Sequence, residues 1–213
     1  METDIDSKLP LQSRVHKFIP KSKFFEKAGI NSKLKKEFAD KIQKIWWEYK
    51  LAPDTIGIQG TKTVEEVQIF EIVLKERVIP KNILKVIDKS IPYPILYVFS
   101  FEAHTAFGIS LKGTGEARYY FSDWDTDIKF NFTGLTLETV YQGLVTAFIS
   151  GEGDDSREFA TIVETDKKQQ VLEKEIQVLQ NKIKNEKQFN KKVVLNTQLQ
   201  TKQKEHTSLT KTL

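Results

Sequence analysis

Residues 67–99 constrain the fold more than any other stretch of the chain. This segment contains the densest run of apolar residues and predicts a strand over 64–75, a helix that begins at Pro80 and a second strand over 95–101. Apolar side chains of the first strand point alternately to both of its faces, which indicates a central strand covered on both sides. The rest of the chain is therefore expected to pack around this strand–helix–strand unit.

Further helices and strands are predicted on either side of this unit. Apolar residues at helical spacing predict a helix from Asn31 or Ser32 to about Lys50, and another that begins at Thr133 or Thr136. Short strands are predicted over 55–58, 106–112 and 117–122, with a glycine-containing turn over 113–115 between the last two. Because most links are short, we predict an α+β fold with a mostly antiparallel sheet of four to five strands packed with helices.

The tail after residue 151 has the pattern of an amphipathic helix with few apolar residues. Its apolar positions, which are the predicted interaction residues, are Leu172, Ile176, Leu179, Ile183, Phe189 and Val193. Asp155 and Glu158 resemble a capping box at its start, and the heptad phase breaks at Glu186. A helix this polar is not stable alone in water, so we expect it to pair with a second copy, a partner protein or its own body. Alternatively, the phase break allows the tail to fold back on itself as a hairpin near Asn185.

Charge divides the chain into three parts. Residues 1–36 carry nine Lys or Arg against four Asp or Glu, residues 37–165 carry 13 against 20, and residues 166–213 carry 11 against five. Together with the periodicity, this predicts a basic N-terminal lead-in over 1–30 and an α+β domain over 31–150. A hinge followed by a long C-terminal coiled-coil-like helix is predicted over 151–213.

Basic residues near the N-terminus are candidates for nucleic-acid binding, because lysine and arginine release counterions from phosphate backbones. The residues predicted for this role are Arg14, Lys17, Lys21, Lys23, Lys33 and Lys36. Phe24 and Phe25 lie among them, and aromatic residues interleaved with basic ones can stack on unpaired bases. The alternative is that these phenylalanines fix the lead-in to the core while the lysines keep it soluble.

Several kinds of site and location are excluded or disfavoured. There is no cysteine among the 213 residues, so the chain has no disulfide, zinc–thiolate site or thiol nucleophile. His16, His104 and His206 are far apart in the sequence and have no metal-ligand spacing. No apolar run is long enough to cross a membrane, and the N-terminus lacks the apolar core of a signal peptide. We therefore expect a cytoplasmic protein without a metal or another cofactor.

One pair of residues indicates an enzyme of the restriction-nuclease type. Such sites hold Mg²⁺ with an acidic residue and an acid-x-Lys pair on adjacent strands. Glu71 and Lys75 lie on one predicted strand, but at about 3.3 Å per residue they are roughly 13 Å apart. Glu66 or Asp88 would have to supply the missing acid. Catalysis by Glu71 and Lys75 therefore ranks behind the non-enzymatic hypotheses.

Several segments together resemble a known prokaryotic family. The most distinctive are IPYPIL at residues 91–96 and EKQFN at residues 186–190, and the similarity covers most of residues 20–200. On these segments the chain resembles the uncharacterised family called domain of unknown function 4391. The resemblance implies a role in DNA processing or phage defence, because genes of this family often lie beside DNA helicases and restriction-type methyltransferases. It supplies no catalytic residues.

These observations leave three hypotheses for the function. The first is a non-enzymatic accessory protein that assembles through its C-terminal helix with itself or a partner protein, in a prokaryotic DNA-processing or phage-defence system. The second is a DNA- or RNA-binding protein that uses the basic N-terminal segment and the predicted helix over 33–50. The third is a metal-dependent nuclease centred on Glu71 and Lys75.

Overall fold

The computed structural model describes residues 4–112, 118–151 and 157–210. These residues form two compact units, one within Met1–Asp155 and one within Ser156–Leu213. We call the first unit the body and the second, which consists of two antiparallel helices, the C-terminal hairpin. The turn predicted over 113–115 and Asp155 of the predicted capping box lie outside the described residues.

The body is built on one mixed sheet of six strands. The strands are β1 (Arg14–Phe18), β2 (Ile42–Leu51), β3 (Val67–Leu74), β4 (Ile95–Phe101), β5 (His104–Leu111) and β6 (Arg118–Phe121). Their order in the sheet follows their order in the chain, and of the described pairs only β3–β4 is parallel. This pair is the strand–helix–strand unit predicted from residues 67–99, because the helix between the strands returns the chain to the end where β3 began.

Helices cover the sheet. In the described part of the body they are α1 (Asp4–Lys8), α2 (Ser22–Ala28), α3 (Ser32–Lys41), α4 (Pro53–Ile56), α5 (Lys81–Ser90) and α6 (Leu137–Ser150). Phe24 of α2 and Phe38 of α3 are buried in the same core as the apolar face of α5. Helix α6 begins after Thr136, whose side chain accepts a hydrogen bond from the Thr139 N–H, and it packs against β5 and β6. The helices predicted to begin at Pro80 and at Thr136 are therefore confirmed to within one residue.

Strand β3 is buried on both faces, as its sequence predicts. Phe70, Ile72 and Leu74 belong to the core formed with α2, α3 and α5. Val67 and Ile69, which point to the opposite face, are also buried. The central position predicted for this strand is therefore confirmed.

The helix predicted over residues 31–50 is wrong in its second half. Asn31 caps α3 as predicted, but the helix ends before Ile42, which begins β2. A β-bulge between Ile42 and Lys44 puts Ile42 and Ile45 on the same face of the sheet, so two strand residues acquire the three-residue spacing of a helix. The β-branched and aromatic composition of residues 42–51 was the signal for a strand.

The predicted sheet is also wrong in strand number and direction. The prediction lacked β1 and β2, and it placed a strand over 55–58, where α4 ends. The Thr55 hydroxyl there accepts a hydrogen bond from the Ala52 N–H and donates one to the Lys50 carbonyl, which closes a helical turn after Pro53. The α+β class is confirmed, but the sheet is mixed rather than mostly antiparallel and has six strands among the described residues.

One edge of the sheet is irregular. At this edge, β1 pairs with β2 through a register that shifts between Arg14 and Lys17. His16 lies within this shift and has a φ of 44°, in the left-handed region that non-glycine residues rarely occupy. Part of the predicted N-terminal lead-in is therefore an edge strand.

A buried polar network joins α5 to β5 and β6. Asp88 of α5 has a side chain that is 6% exposed, and it accepts hydrogen bonds from the hydroxyls of Ser110, at 3.1 Å, and Tyr119. The Lys112 ammonium lies 3.9 Å from Asp88 and donates to the Ile91 carbonyl at the end of α5. Burial raises the pKa of Asp88, and the Tyr119 hydroxyl and the Lys112 charge only partly offset this effect. The network depends on mutual pairing, because none of these groups is well solvated.

Replacing Asp88 with alanine is expected to lower the free energy of unfolding of the body by about 2–4 kcal/mol, because Ser110, Tyr119 and Lys112 lose a shared buried partner. Urea unfolding followed by tryptophan fluorescence measures this, since the three tryptophans all lie within residues 46–124. Asp123→Ala, at an exposed position, is the control and should cost less than about 0.5 kcal/mol. Equal destabilisation by the two substitutions would contradict the structural role of the network.

The raised pKa of Asp88 also predicts a pH dependence. An acid whose pKa is higher in the folded than in the unfolded protein stabilises the fold when protonated, and this contribution is lost as the pH rises through the folded-state pKa. The stability of the wild type relative to Asp88→Asn should therefore fall as the pH rises from below the ordinary pKa of 3.8 towards neutrality. Urea unfolding of both proteins across this range measures the difference. Parallel pH profiles would show that Asp88 titrates normally.

Candidate functional site

The second unit is a hairpin of two long helices, α7 (Phe159–Asn185) and α8 (Phe189–Thr210). The turn between them begins at Glu186, whose side chain accepts a hydrogen bond of 2.8 Å from the Gln188 N–H. The single long helix predicted for the tail is therefore wrong, and the alternative of a hairpin near residue 185 is confirmed. The chain turns here because the heptad pattern of apolar residues changes phase at Glu186.

Charged and apolar side chains join α7 to α8. The Lys202 ammonium lies 3.0 Å from a carboxylate oxygen of Glu175, and an imidazole nitrogen of His206 lies 3.2 Å from one of Glu173. Of the six predicted interaction residues, Leu172 is buried, Ile176, Leu179 and Ile183 are half-buried, and Phe189 and Val193 are exposed. In a pair of helices, each helix buries only the face that packs against the other. Much of the apolar surface of the hairpin therefore remains exposed to water.

An open groove runs along one side of the hairpin. Three adjoining concavities of about 810, 540 and 700 Å³ follow one another between the helices. The first and second share Val178 and Lys182, and the second and third share Glu175 and Lys202, which makes the groove continuous. Its apolar lining includes Val171, Leu172, Val178, Leu179, Val194 and Leu195. We call this feature the hairpin groove.

The chemistry of the hairpin groove is that of a docking surface. Its floor is aliphatic, and its rim carries both lysine and glutamate side chains. Glu175 and Glu205 accept hydrogen bonds from Lys202 and raise the pKa of its ammonium group, which therefore stays charged. Such a surface fits the apolar stripe of another amphipathic helix, with charged residues on both sides of the stripe.

The basic residues predicted to bind nucleic acid lie on three elements of the body. Arg14 and Lys17 belong to β1, Lys21 and Lys23 to the start of α2, and Lys33 and Lys36 to the first two turns of α3. Five of them are exposed, but Lys21 is half-buried and donates a hydrogen bond to the Ile42 carbonyl. Burial, and to a lesser degree the charge of Lys75, lowers the pKa of Lys21. Lys21 therefore attaches the lead-in to the sheet, and the other five remain available to a polyanion.

An aromatic cluster that the sequence analysis missed involves β1, the strand to which Arg14 and Lys17 belong. His16 stacks on Trp46 with ring centroids 4.9 Å apart, and Phe18 meets the same indole at 5.6 Å and an interplanar angle of 69°. Phe18 is 48% exposed. We call these three residues the Trp46 cluster; its signal in the sequence was Trp46, which was assigned to the buried face of a helix. Exposed rings next to basic residues can stack on unpaired bases.

The two residues predicted for a nuclease site have separate partners. Glu71 accepts a hydrogen bond of 2.7 Å from the Ser100 hydroxyl. Lys75 donates one of 2.7 Å to the Ala39 carbonyl at the end of α3. The structure therefore shows no direct contact between Glu71 and Lys75, and Asp88 belongs to the buried network.

A different set of residues meets where β2 ends and β3 begins. The Lys50 ammonium lies 3.4 Å from a carboxylate oxygen of Glu66 and 3.8 Å from one of Asp54. Gln68 stands opposite Lys50 in the β2–β3 register, and its amide donates a hydrogen bond of 2.9 Å to Glu66. The Glu66 side chain is 14% exposed, whereas that of Asp54 is 72% exposed. We call these four residues the Lys50 cluster.

The Lys50 cluster contains nearly the residue types that the nuclease hypothesis requires, at another place. Asp54 precedes a Glu66-x-Gln68 pair, and Lys50 supplies the ammonium group from the neighbouring strand. Its two carboxylates are hard ligands of the kind that Mg²⁺ prefers. The described residues contain no group of three or more His, Cys, Asp or Glu side chains arranged to hold a metal, so water or substrate would have to complete the coordination. Sequence reasoning missed the cluster because Lys50 was assigned to a helix.

A comparison with protein families gives a match that spans both units. The model described as "Domain of unknown function (DUF4391)" matches residues 8–205. Neither the curated proteins nor the solved structures give a match to the chain. In the described part of the chain, no helix has both the length and the apolar character needed to cross a membrane.

Proposed function

The chain belongs to the DUF4391 family, and we propose that it is a non-enzymatic accessory protein that assembles through the C-terminal hairpin. The observation that carries this proposal is the hairpin groove, an aliphatic surface left open on an otherwise polar pair of helices. We place the assembly in a prokaryotic DNA-processing or phage-defence system. Support for that setting comes from the genomic neighbours that the family resemblance implies.

Covering the hairpin groove would stabilise the hairpin as well as the complex. Val171, Val178 and Val194 are 49%, 50% and 58% exposed. Burying what remains of each side chain contributes about 1 kcal/mol, which opposes the conformational entropy lost when two long helices become ordered. A partner that covers these valines therefore supports folding of the hairpin in the same step in which it binds.

A second candidate is the handling of nucleic acid by the body. The Trp46 cluster offers exposed rings for unpaired bases, and Arg14 and Lys17 are exposed basic residues of the same strand that could contact the phosphates. The Lys50 cluster offers two carboxylates for a divalent cation that would polarise a phosphodiester and a bound water. Lys50 would then balance the charge that develops on the phosphate oxygens.

Replacing two exposed valines of the hairpin groove is expected to disrupt assembly. Val178→Ser with Val194→Ser should weaken binding at least about tenfold, because each substitution removes about 1 kcal/mol of apolar burial. Light scattering after size exclusion measures the mass of the purified protein and of any stoichiometric complex formed with a host protein. Val78→Ser is the matched control, since Val78 is 53% exposed in the body. Assembly that withstands the double substitution, or no assembly by the wild type, would refute the proposal.

For the second candidate, Asp54→Asn and Glu66→Gln should each lower Mg²⁺-dependent cleavage of DNA or RNA by about 100-fold or more, because each removes a cation ligand. Gel assays on single- and double-stranded substrates measure the loss, and Asp123→Asn, at an exposed position, is the control. If Glu71→Gln abolishes cleavage and Asp54→Asn does not, the catalytic site lies at Glu71 and not at the Lys50 cluster.

Binding is measured separately, so that a nucleic-acid binder without catalysis is recognised. Arg14→Glu with Lys17→Glu should weaken binding and make it less sensitive to salt, because fewer counterions are released. Lys89→Glu, on an exposed position of α5, should leave binding unchanged. Absence of both binding and cleavage by the wild type at low salt would eliminate this candidate.

A further inference from the structure

We infer that the hairpin groove is occupied by a second copy of this chain, whose C-terminal hairpin lies antiparallel to the first. The inference rests on the proposed function and names its partner. The two hairpins would pack groove to groove, so that four helices surround one apolar layer. The area of the grooved face, the charge distribution along the hairpin and the residues that line the groove each support this arrangement.

The grooved side of the hairpin has the area that a stable dimer needs. Helix α7 has 27 residues and is therefore about 40 Å long at 1.5 Å per residue. Two helices side by side are about 20 Å wide, which gives a face of about 800 Å². This is the area that each partner typically buries in a stable protein–protein interface.

Charge is distributed unevenly along the hairpin. The tip, residues 180–194, contains five lysines and one glutamate. The base, residues 157–175 and 202–209, contains the six other carboxylates of residues 157–210 together with six lysines and arginines. The groove lining follows this division: Lys182 and Lys191 outnumber Glu186 at the tip, whereas at the base three glutamates are balanced by Lys167, Lys168 and Lys202.

This distribution selects the antiparallel arrangement. Two parallel hairpins would place two tips of net charge +4 side by side, and charges at contact distance repel even in physiological salt. When one hairpin is turned end for end, the net-positive tip of each copy faces the other base, whose six carboxylates offset its six basic residues. Both copies then use the same surface, as a two-fold interface requires.

The lining of the groove disfavours a nucleic acid as the occupant. Its floor is aliphatic, and along its base half the carboxylates of three glutamates cancel the charges of Lys167, Lys168 and Lys202. No net positive charge attracts a phosphate backbone there, and aliphatic side chains offer no ring on which a base could stack. A second copy matches both the aliphatic floor and the charged rim of the groove, because it brings an aliphatic stripe and charges of both signs.

Single cysteines test the orientation, because the natural sequence contains none. Gln188→Cys labels the tip, and Ser208→Cys labels the base beside the groove. With a short bis-maleimide, the antiparallel dimer should give a cross-link between the two variants when they are mixed, and little or none in either variant alone. Cross-linking of Gln188→Cys with itself would show a parallel dimer and overturn the inference.

Charge reversal at the tip provides an independent test. In the full-length protein, Lys182→Glu with Lys191→Glu should weaken self-association at least about fivefold if the tips face carboxylates, and strengthen it if the tips face each other. Glu164→Lys with Glu175→Lys should weaken it as well, and a mixture of the two variants should recover association. Circular dichroism checks that helix content is unchanged.

The outcomes separate this inference from the proposed function. A wild-type protein that stays monomeric at its highest soluble concentration overturns the second copy as occupant. If that monomer still forms a stoichiometric complex with a host protein, and the Val178 and Val194 substitutions abolish it, the proposed function stands with a different partner. If no such complex forms either, both are overturned.

Discussion

Burial of β3 on both faces is the constraint on which the body depends. A strand covered on both sides needs a neighbour on each edge and cover on each face; β2 and β4 are the neighbours of β3, and helices α2, α3 and α5 form the core on one of its faces. Helix α5 meets one of these needs, because it packs on the sheet and returns the chain so that β4 can pair in parallel with β3. The Asp88 network then fixes the far end of α5 to β5 and β6 through groups that are wholly or partly buried.

Sequence reasoning succeeded where local pattern and tertiary environment agree. Strands β3 and β4 and helices α5 and α6 carry apolar periodicities that match their final burial. The prediction failed for β2, because a bulge gave Ile42 and Ile45 helical spacing. No local rule tells from the sequence where a strand will contain a bulge. The same error hid the candidate sites of the body. Trp46 and Lys50 are brought to His16 and Glu66 only by strand pairing, which a single sequence does not specify.

The two units of the chain offer different kinds of chemistry. The hairpin has an aliphatic groove with charges of both signs, and among its described residues no three His, Cys, Asp or Glu side chains are grouped to hold a metal. The body has a polar cluster in which one ammonium group lies near two carboxylates, and an aromatic cluster formed by β1 and β2. An adaptor function and a nucleic-acid function are therefore compatible within one chain, because they draw on different residues.

The irregular edge of the sheet at β1 has a consequence for how copies of this protein can associate. A regular, exposed edge strand invites β-augmentation, in which a foreign strand extends the sheet and, when repeated, leads to fibrils. The left-handed His16 and the shifted register interrupt the ladder at β1. Backbone-mediated polymerisation is thus discouraged at this edge of the sheet, which directs association towards side chains and towards assemblies of finite size.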